Sequence, residues 1–316
     1  MFYFIVNPTS RSGRGAQIWQ QVKAQLDLKG IAYQAFDTKY KGHATELADK
    51  ICSQNEDDMI LVALGGDGTV NEVINGMKQF DKVRFGVIST GSGNDFARGL
   101  GKNEEPLVQL ERLLSVQEER RIDLGTVTWD DCENGRYFVV SAGVGLDAIV
   151  VKRSLVSRWK VFLNKIHLGK LVYPIVTVFT LFSMTRFGLK GIGRNVCIDG
   201  EHADKIQKQF PKTIFVAAMN FPTEGGGIPM APNAQADDGK LSIACIHGIP
   251  KVLTLFCLPV LMAGKQHILK QFDCFDCCEY EIQLSDATTL HMDGECVGET
   301  RHVVFGCVPK KLRMIV

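Results

Sequence analysis

The chain has 316 residues, of which 45% are apolar and 22% charged, and its formal net charge is +1. A length beyond about 250–300 residues predicts two domains, and this ordinary composition excludes a disordered or low-complexity chain. The near-zero charge supplies no general attraction to nucleic acid. Ten dispersed cysteines without a secretory signal read as free thiols of a reducing cytoplasm, not as a disulfide framework.

Residues 2–6 read as an apolar strand and 7–15 (NPTSRSGRG) as a polar loop. Residues 16–28 read as a helix that carries Ile18, Val22 and Leu26 on one face and stops at Gly30. A second strand at 31–36 and a short helix at 45–53 follow. Residues 59–64 form a continuous apolar strand, and 69–77 a helix with Val70, Val73, Ile74 and Met77 at i, i+3, i+4 and i+7. Another strand, 84–88, leads into a glycine loop at 90–94. Short apolar strands alternating with helices predict an α/β domain with a parallel sheet covered on both faces. In such sheets ligands bind beyond the carboxyl ends of the strands. The glycine loops at 11–15, 65–68 and 91–93 all follow strands, so all three fall on that edge.

After Asp123 the texture changes. Strands at 124–129, 136–142, 195–198, 213–218, 240–246, 278–284 and 303–308 are joined by Asn/Gly/Asp turns. They predict a mostly antiparallel, β-rich second domain with two inserted helical segments, 147–164 and 168–184. The expected division is 1–123 and 124–308, with a tail at 309–316 returning to the first domain. Apolar runs at 171–184 and 252–264, each broken by a proline, fall short of the roughly 18–20 residues that span a bilayer. They read first as buried helices and second as a face that meets a membrane or an acyl chain. Cys274, Cys277 and Cys278 contain the spacing of a zinc knuckle but lack a second pair, so structural thiols are the first reading. Exposed sheet edges in a β-rich domain make a homodimer an expectation.

The stretch Gly65-Gly66-Asp67-Gly68-Thr69 closes the third strand. Its glycines permit close backbone approach, and its N–H groups with the following helix start form a concavity suited to phosphate. Asp67 would repel bare phosphate, which predicts a magnesium ion between them, held directly or through water. A tight turn with Asp67 capping its own helix is the plain alternative. Farther on, APNAQADDGKL (Ala231 to Leu241) and Asp293-Gly294-Glu295 each read plainly as Asp-Gly turns.

GGDGTVNEVING from Gly65, GSGNDFAR from Gly91 and the opening Asn7-Pro8-Thr9-Ser10 together resemble the diacylglycerol kinase catalytic-domain family. That family takes in bacterial lipid kinases and is related to sphingosine and ceramide kinases. The resemblance implies an NAD-kinase-like nucleotide-binding domain over 1–123, a lipid-binding domain over 124–308, and ATP and Mg²⁺ as cofactors. The activity it implies is transfer of the γ-phosphoryl group to the hydroxyl of a diacylglycerol-like lipid, drawn from a transiently contacted membrane surface.

Site residues follow by position. Glu295 of the DGE triplet is expected to be the general base, and Asp67 the link to magnesium. Asn7, Pro8, Thr9, Ser10 and Arg11 are expected to cover the nucleotide, with Thr38 contacting it. Gly65, Gly66, Gly68, Thr69, Val70, Asn71 and Glu72 are expected around the phosphates. Ser92 stands where the family usually has Thr and Ser89 where Pro is usual, so the local backbone departs from the pattern while a hydroxyl is kept. Asn94 and Asp95 are expected to order the loop around Asp67. A structural magnesium is implied at the carboxylate of Asp238 and the carbonyls of Gln235 and Lys240. The rival readings are a soluble-metabolite kinase such as an NAD kinase, and a non-catalytic nucleotide- or lipid-binding regulator.

Overall fold

A computed structural model describes residues 1–55, 57–91, 93–102, 104–115, 119–130, 132–156, 172–196 and 202–316. Four strands, β1 (Phe2–Val6), β2 (Tyr33–Asp37), β3 (Met59–Gly65) and β4 (Val83–Ser89), alternate with helices α1 (Ser10–Leu28), α2 (His43–Gln54) and α3 (Asp67–Gly76). The strands pair in parallel in the order β2-β1-β3-β4. β3 is buried at every position, as a strand covered on both faces must be. Successive side chains of β1 therefore enter different layers. Phe4 and Val6 pack with Ile18, Val22 and Leu26 of α1, whereas Tyr3 and Ile5 pack with Ile51 of α2 and Val70, Val73 and Ile74 of α3.

The second layer depends on one close approach. A Cβ on Gly76 would lie 2.2 Å from the carbonyl oxygen of Thr45, so α2 and α3 meet backbone to backbone there. Gly76→Ala is expected to cost about 2 kcal/mol, because two packed helices would have to part. Urea unfolding would measure it, and an unchanged midpoint would show that the helices separate freely.

Helices α4 (Asp95–Gly99) and α5 (Pro106–Ser115) lead into the β-rich half. Its elements are β5 (Glu119–Trp129), β6 (Cys132–Phe138), β7 (Ser141–Gly145), α6 (Leu146–Val156), α7 (Val172–Ser183), β8 (Phe187–Val196) and β9 (His202–Thr213). They continue through β10 (Phe215–Met219), β11 (Leu241–Ile246), α8 (Lys251–Met262), β12 (Phe272–Cys277), β13 (Glu279–Met292) and β14 (Glu295–Ile315). Hydrogen bonding is continuous along β12-β11-β10-β7-β13-β14-β4-β3-β1-β2. The join is made by β14, which pairs antiparallel with β13 and β5 and then parallel with β4 at Arg313 and Met314. The end of the chain thus adds a strand beside the parallel sheet, and the two halves share one sheet.

Several boundaries differ from the sequence reading. Helix α1 begins at Ser10, inside the stretch read as a polar loop. Gly13 and Gly15 lower helix propensity there, but a Cβ on Gly15 would lie 2.2 Å from the Asn7 carbonyl, so close packing dictates the glycine. The strand expected at 136–142 is broken between β6 and β7, where backbone N–H groups turn to a side chain instead of a neighbouring strand. Strand β8 begins at Phe187, well before the expected 195–198, and residues 197 and 198 lie outside the described ones. The parts of the expected helices at 147–164 and 168–184 that fall within 157–171 also lie outside them.

The first reading of the two apolar segments is corrected: neither α7 nor α8 is buried all round. Thr180 and Leu181 of α7 and Cys257 and Leu261 of α8 face the core, while Phe179 is 67% and Phe256 71% exposed. Val178, Phe182, Leu253 and Met262 are exposed with them, and the two helices touch. No helix among the described residues is long and apolar enough to cross a membrane.

Candidate active site

The carboxyl ends of β1, β2 and β3 open on one side of the sheet, and a cleft of about 450 Å³ lies there. Asn7 and Thr9 line it from the turn after β1, Ser10 and Arg11 from the start of α1, and Thr38 from the end of β2. Gly66, Gly68, Thr69 and Glu72 line it from the β3–α3 corner, and Glu295 reaches it from the start of β14. The walls are pinned by short polar bonds. Asn7 Nδ2 donates to Thr69 Oγ1 at 2.9 Å, its Oδ1 accepts from the Thr9 N–H at 3.1 Å, and Ser10 and Thr90 share a hydroxyl bond of 2.7 Å. Gly65 is needed for the corner: a Cβ would lie 2.5 Å from the Thr69 side chain.

Asp67 and Glu295 lie on different sides of this corner, and of the two only Glu295 is among the residues that line the cleft. A Cβ on Gly68 would be 3.0 Å from Glu295 Oε1, so the glycine admits the carboxylate to the loop. Asp67, one residue earlier, turns the other way. Its carboxylate accepts the N–H groups of Asp95 at 3.2 Å and Phe96 at 3.3 Å. It therefore caps α4; the alternative in which it caps its own helix is corrected, because α3 has no side-chain cap at its start. Burial and the neighbouring charge of Asp95 push Asp67 up to about 6, against the lowering effect of those two N–H groups. Asp95 in turn pairs with Arg98 at 2.7 Å and accepts the Gly226 N–H at 2.9 and 3.1 Å. Asn94, before it, adopts a left-handed φ of 51°.

Other expected site residues have different surroundings. Val70 sends its side chain into the core, not toward phosphate. Asn71 is also buried and donates to Asp293 at 2.7 Å and to the Tyr137 carbonyl at 3.0 Å. Glu72 lines the cleft but also accepts the N–H groups of Gly42 and Ala44 at the start of α2. Pro8 and Gly65 are not among the residues that line the cleft, and Ser92 lies outside the described residues.

Gln235, Asp238 and Lys240 form a separate turn. The Asp238 carboxylate accepts the Lys240 N–H at 2.9 Å, and Gly239 has a φ of 76°. Asp123, fully buried, accepts from the Gly239 N–H at 2.7 Å and the Lys310 N–H at 2.6 Å. Burial, with the charges of Asp123 and Asp276, pushes Asp238 above the usual carboxylate range. Carboxylates gathered at a tight turn suit a hard divalent cation, so the residues present fit a magnesium ion.

Sequence reasoning missed Lys41, whose ammonium is 3.0 Å from Glu295 Oε2. With Lys39 and Arg11 it gives the rim a cationic side suited to polyphosphate. The run Lys39-Tyr40-Lys41 after a strand on the ligand-binding edge was the available signal. Asp293, read as a turn residue, does sit in the turn between β13 and β14, and it is also a buried acceptor for Asn71, Val139, Val140 and Ser141. Nothing local in the sequence marks it as such.

Residues 1–127 match the family model of the diacylglycerol kinase catalytic domain, and residues 139–316 that of the YegS C-terminal NAD kinase beta sandwich-like domain. The chain is 27% identical over 301 residues to YtlR of Bacillus subtilis (strain 168), whose name places it among lipid kinases; 95% of this chain and 94% of that one are covered. It is 27% identical over 306 residues to the diacylglycerol kinase of the same organism, covering 93% of this chain and 89% of the relative. A solved structure from Bacillus anthracis str. Sterne, described under the name diacylglycerol kinase, superposes with a TM-score of 0.72 at 22% identity, over 99% of this chain and 96% of that one. This last likeness is one of fold.

Proposed function

The chain belongs to the diacylglycerol kinase catalytic-domain family of lipid kinases, and on that premise we propose that it transfers the γ-phosphoryl group of ATP to the hydroxyl of a diacylglycerol-like lipid. The observation that carries the proposal is the convergence of Glu295, the Gly66–Gly68 corner and the Asn7–Arg11 turn on one cleft. Phosphoryl transfer asks a protein mainly for position and for charge at the moving phosphate. Here the glycine corner would offer N–H groups, and Arg11, Lys39 and Lys41 would offer cations on the rim. Magnesium, when bound with ATP, would neutralise phosphate charge and keep Asp67 and the nucleotide together. Glu295 would accept the proton of the attacking hydroxyl, with Lys41 holding its carboxylate in position until the substrate arrives. The Asp238 turn would hold a second, structural magnesium through the carbonyls of Gln235 and Lys240.

The exposed apolar faces of α7 and α8 support a lipid acceptor taken from a membrane surface, because a water-soluble acceptor gives no reason to expose Phe179 and Phe256. Assays with Mg-ATP across lipid alcohols in mixed micelles would test the reading by transfer of labelled phosphate. Diacylglycerol is expected to be labelled, and Glu295→Gln is expected to lower kcat about 100-fold with little change in the KM for ATP. Labelling of a soluble acceptor alone, or full activity in E295Q, would overturn it.

A further inference from the structure

Carboxylates extend beyond the phosphate corner. Asp147 at the start of α6, Glu224 in the turn after β10 and His291 near the end of β13 each bring one ligand atom within 4.8 Å of the other two. His291 lies opposite Gly143 across the β7–β13 pair, and its Nε2 is 2.9 Å from Asp147 Oδ2. A Cβ on Gly143 would lie 2.7 Å from that Asp147 oxygen and 3.0 Å from His291 Nε2, so only glycine lets the pair meet there. His291 is 2% exposed, and Glu224 Oε2 is buried without a hydrogen-bond partner among the described residues.

The charges do not balance. Two carboxylates face one imidazole, and Asp95 and Asp293 add negative potential from the loop and corner next to them. A partly buried group of two carboxylates and one imidazole, with one carboxylate oxygen unpartnered, is suited to a cation. One imidazole nitrogen with two carboxylates is a mixed donor set, which favours manganese or zinc over magnesium.

We propose that Asp147, Glu224 and His291 form a binding site for a divalent transition-metal ion of the Mn²⁺ or Zn²⁺ class, separate from the Asp238 turn and from the nucleotide cleft. The site has a structural consequence. Glu224 opens the turn whose Gly226 N–H holds Asp95, and the Asp95 N–H holds Asp67. An ion bound by Glu224, Asp147 and His291 would fix that turn against β7 and β13 and thereby brace the catalytic loops from behind.

The test uses the full chain, stripped with a chelator and carrying Asp238→Asn so that the other turn does not contribute. MnCl₂, ZnCl₂ and MgCl₂ are titrated separately by calorimetry, and bound metal is counted by elemental analysis. One Mn²⁺ or Zn²⁺ per chain is expected, bound at least about tenfold more tightly than Mg²⁺. Adding Glu224→Gln or His291→Gln is expected to weaken binding about 100-fold, as loss of one of three ligands should. Circular dichroism confirms folding, and the near-isosteric E224Q decides if H291Q does not fold. No uptake, equal uptake in the variants, or Mg²⁺ held as tightly as the other ions would each overturn the proposal. Because the readout is binding, failure here leaves the kinase reading standing, and failure to phosphorylate lipid leaves this site untouched.

Discussion

Asp67→Asn is expected to lower phosphoryl transfer by at least about 1,000-fold, the scale at which charge stabilisation of a moving phosphate operates, while the metal-free chain becomes no less stable. The two outcomes share one cause. Asp67 is a buried carboxylate beside another, Asp95, and is pushed up to about 6 from the about 3.9 of a free aspartate. Keeping it ionised at neutral pH costs the metal-free fold on the order of 3 kcal/mol. The sign follows from the raised value. The cost is nil below about pH 4, where the carboxyl is protonated in both folded and unfolded chains, and it is complete above about pH 6. Asn keeps one acceptor for the Asp95 and Phe96 N–H groups and carries no charge. Relative to wild type, D67N should therefore gain stability as pH rises through that window. Thermal melts at pH 4 and pH 7 with chelator, alongside single-turnover assays with Mg-ATP, would check both halves. An active D67N, or one that melts well below wild type at pH 7, would show that this carboxylate serves packing alone.

Such tension between stability and chemistry at one residue is common in active sites. It also explains why the glycine corner was legible in the sequence. Gly65 is dictated by the Thr69 side chain and Gly68 leaves room for Glu295, so each leaves a local mark in the sequence. The parallel half was legible for a similar reason. β3 is buried at every position and α3 presents Val70, Val73 and Ile74 to one layer, so period and burial agree. The β-rich half was less so. β13 and β14 run through register shifts at Gln283/Thr288 and Leu290/His291, and β9 is a Lys/Gln-rich strand that, among the described residues, pairs with β8 alone. Their lengths are fixed by partners far away in the chain, which no local pattern records. Asp147 and Glu224 beside His291 escaped for the same reason, whereas Lys41 beside Glu295 left a local sign in the run Lys39-Tyr40-Lys41.

Asp293→Ala is expected to cost about 3–5 kcal/mol, the largest loss of stability anticipated from a single side chain here. Asp293 sits at the β13–β14 corner with a left-handed φ of 46°, which Asp tolerates better than most residues. Its carboxylate accepts the N–H groups of Val139 and Val140 at 2.8 Å each and of Ser141 at 3.1 Å, together with the Asn71 amide at 2.7 Å. Burial pushes the group up, and these four donors oppose that shift. The donors come from α3 and from the break between β6 and β7, so one side chain ties the parallel half to the β-rich half. Truncation would leave four donors unmet in a dry corner, at about 1–3 kcal/mol for each one that finds no water. Asp293→Asn retains the shape but turns an amide nitrogen toward other donors, and should fall between wild type and D293A. Urea unfolding of the three proteins would rank them. The corner also sets where Glu295 begins, so D293N should lose kcat while its KM for ATP holds, since Asn7, Thr38 and Arg11 line the cleft from β1 and β2. If D293A unfolds with wild type, the corner is held by the strands on either side and the carboxylate is incidental to it.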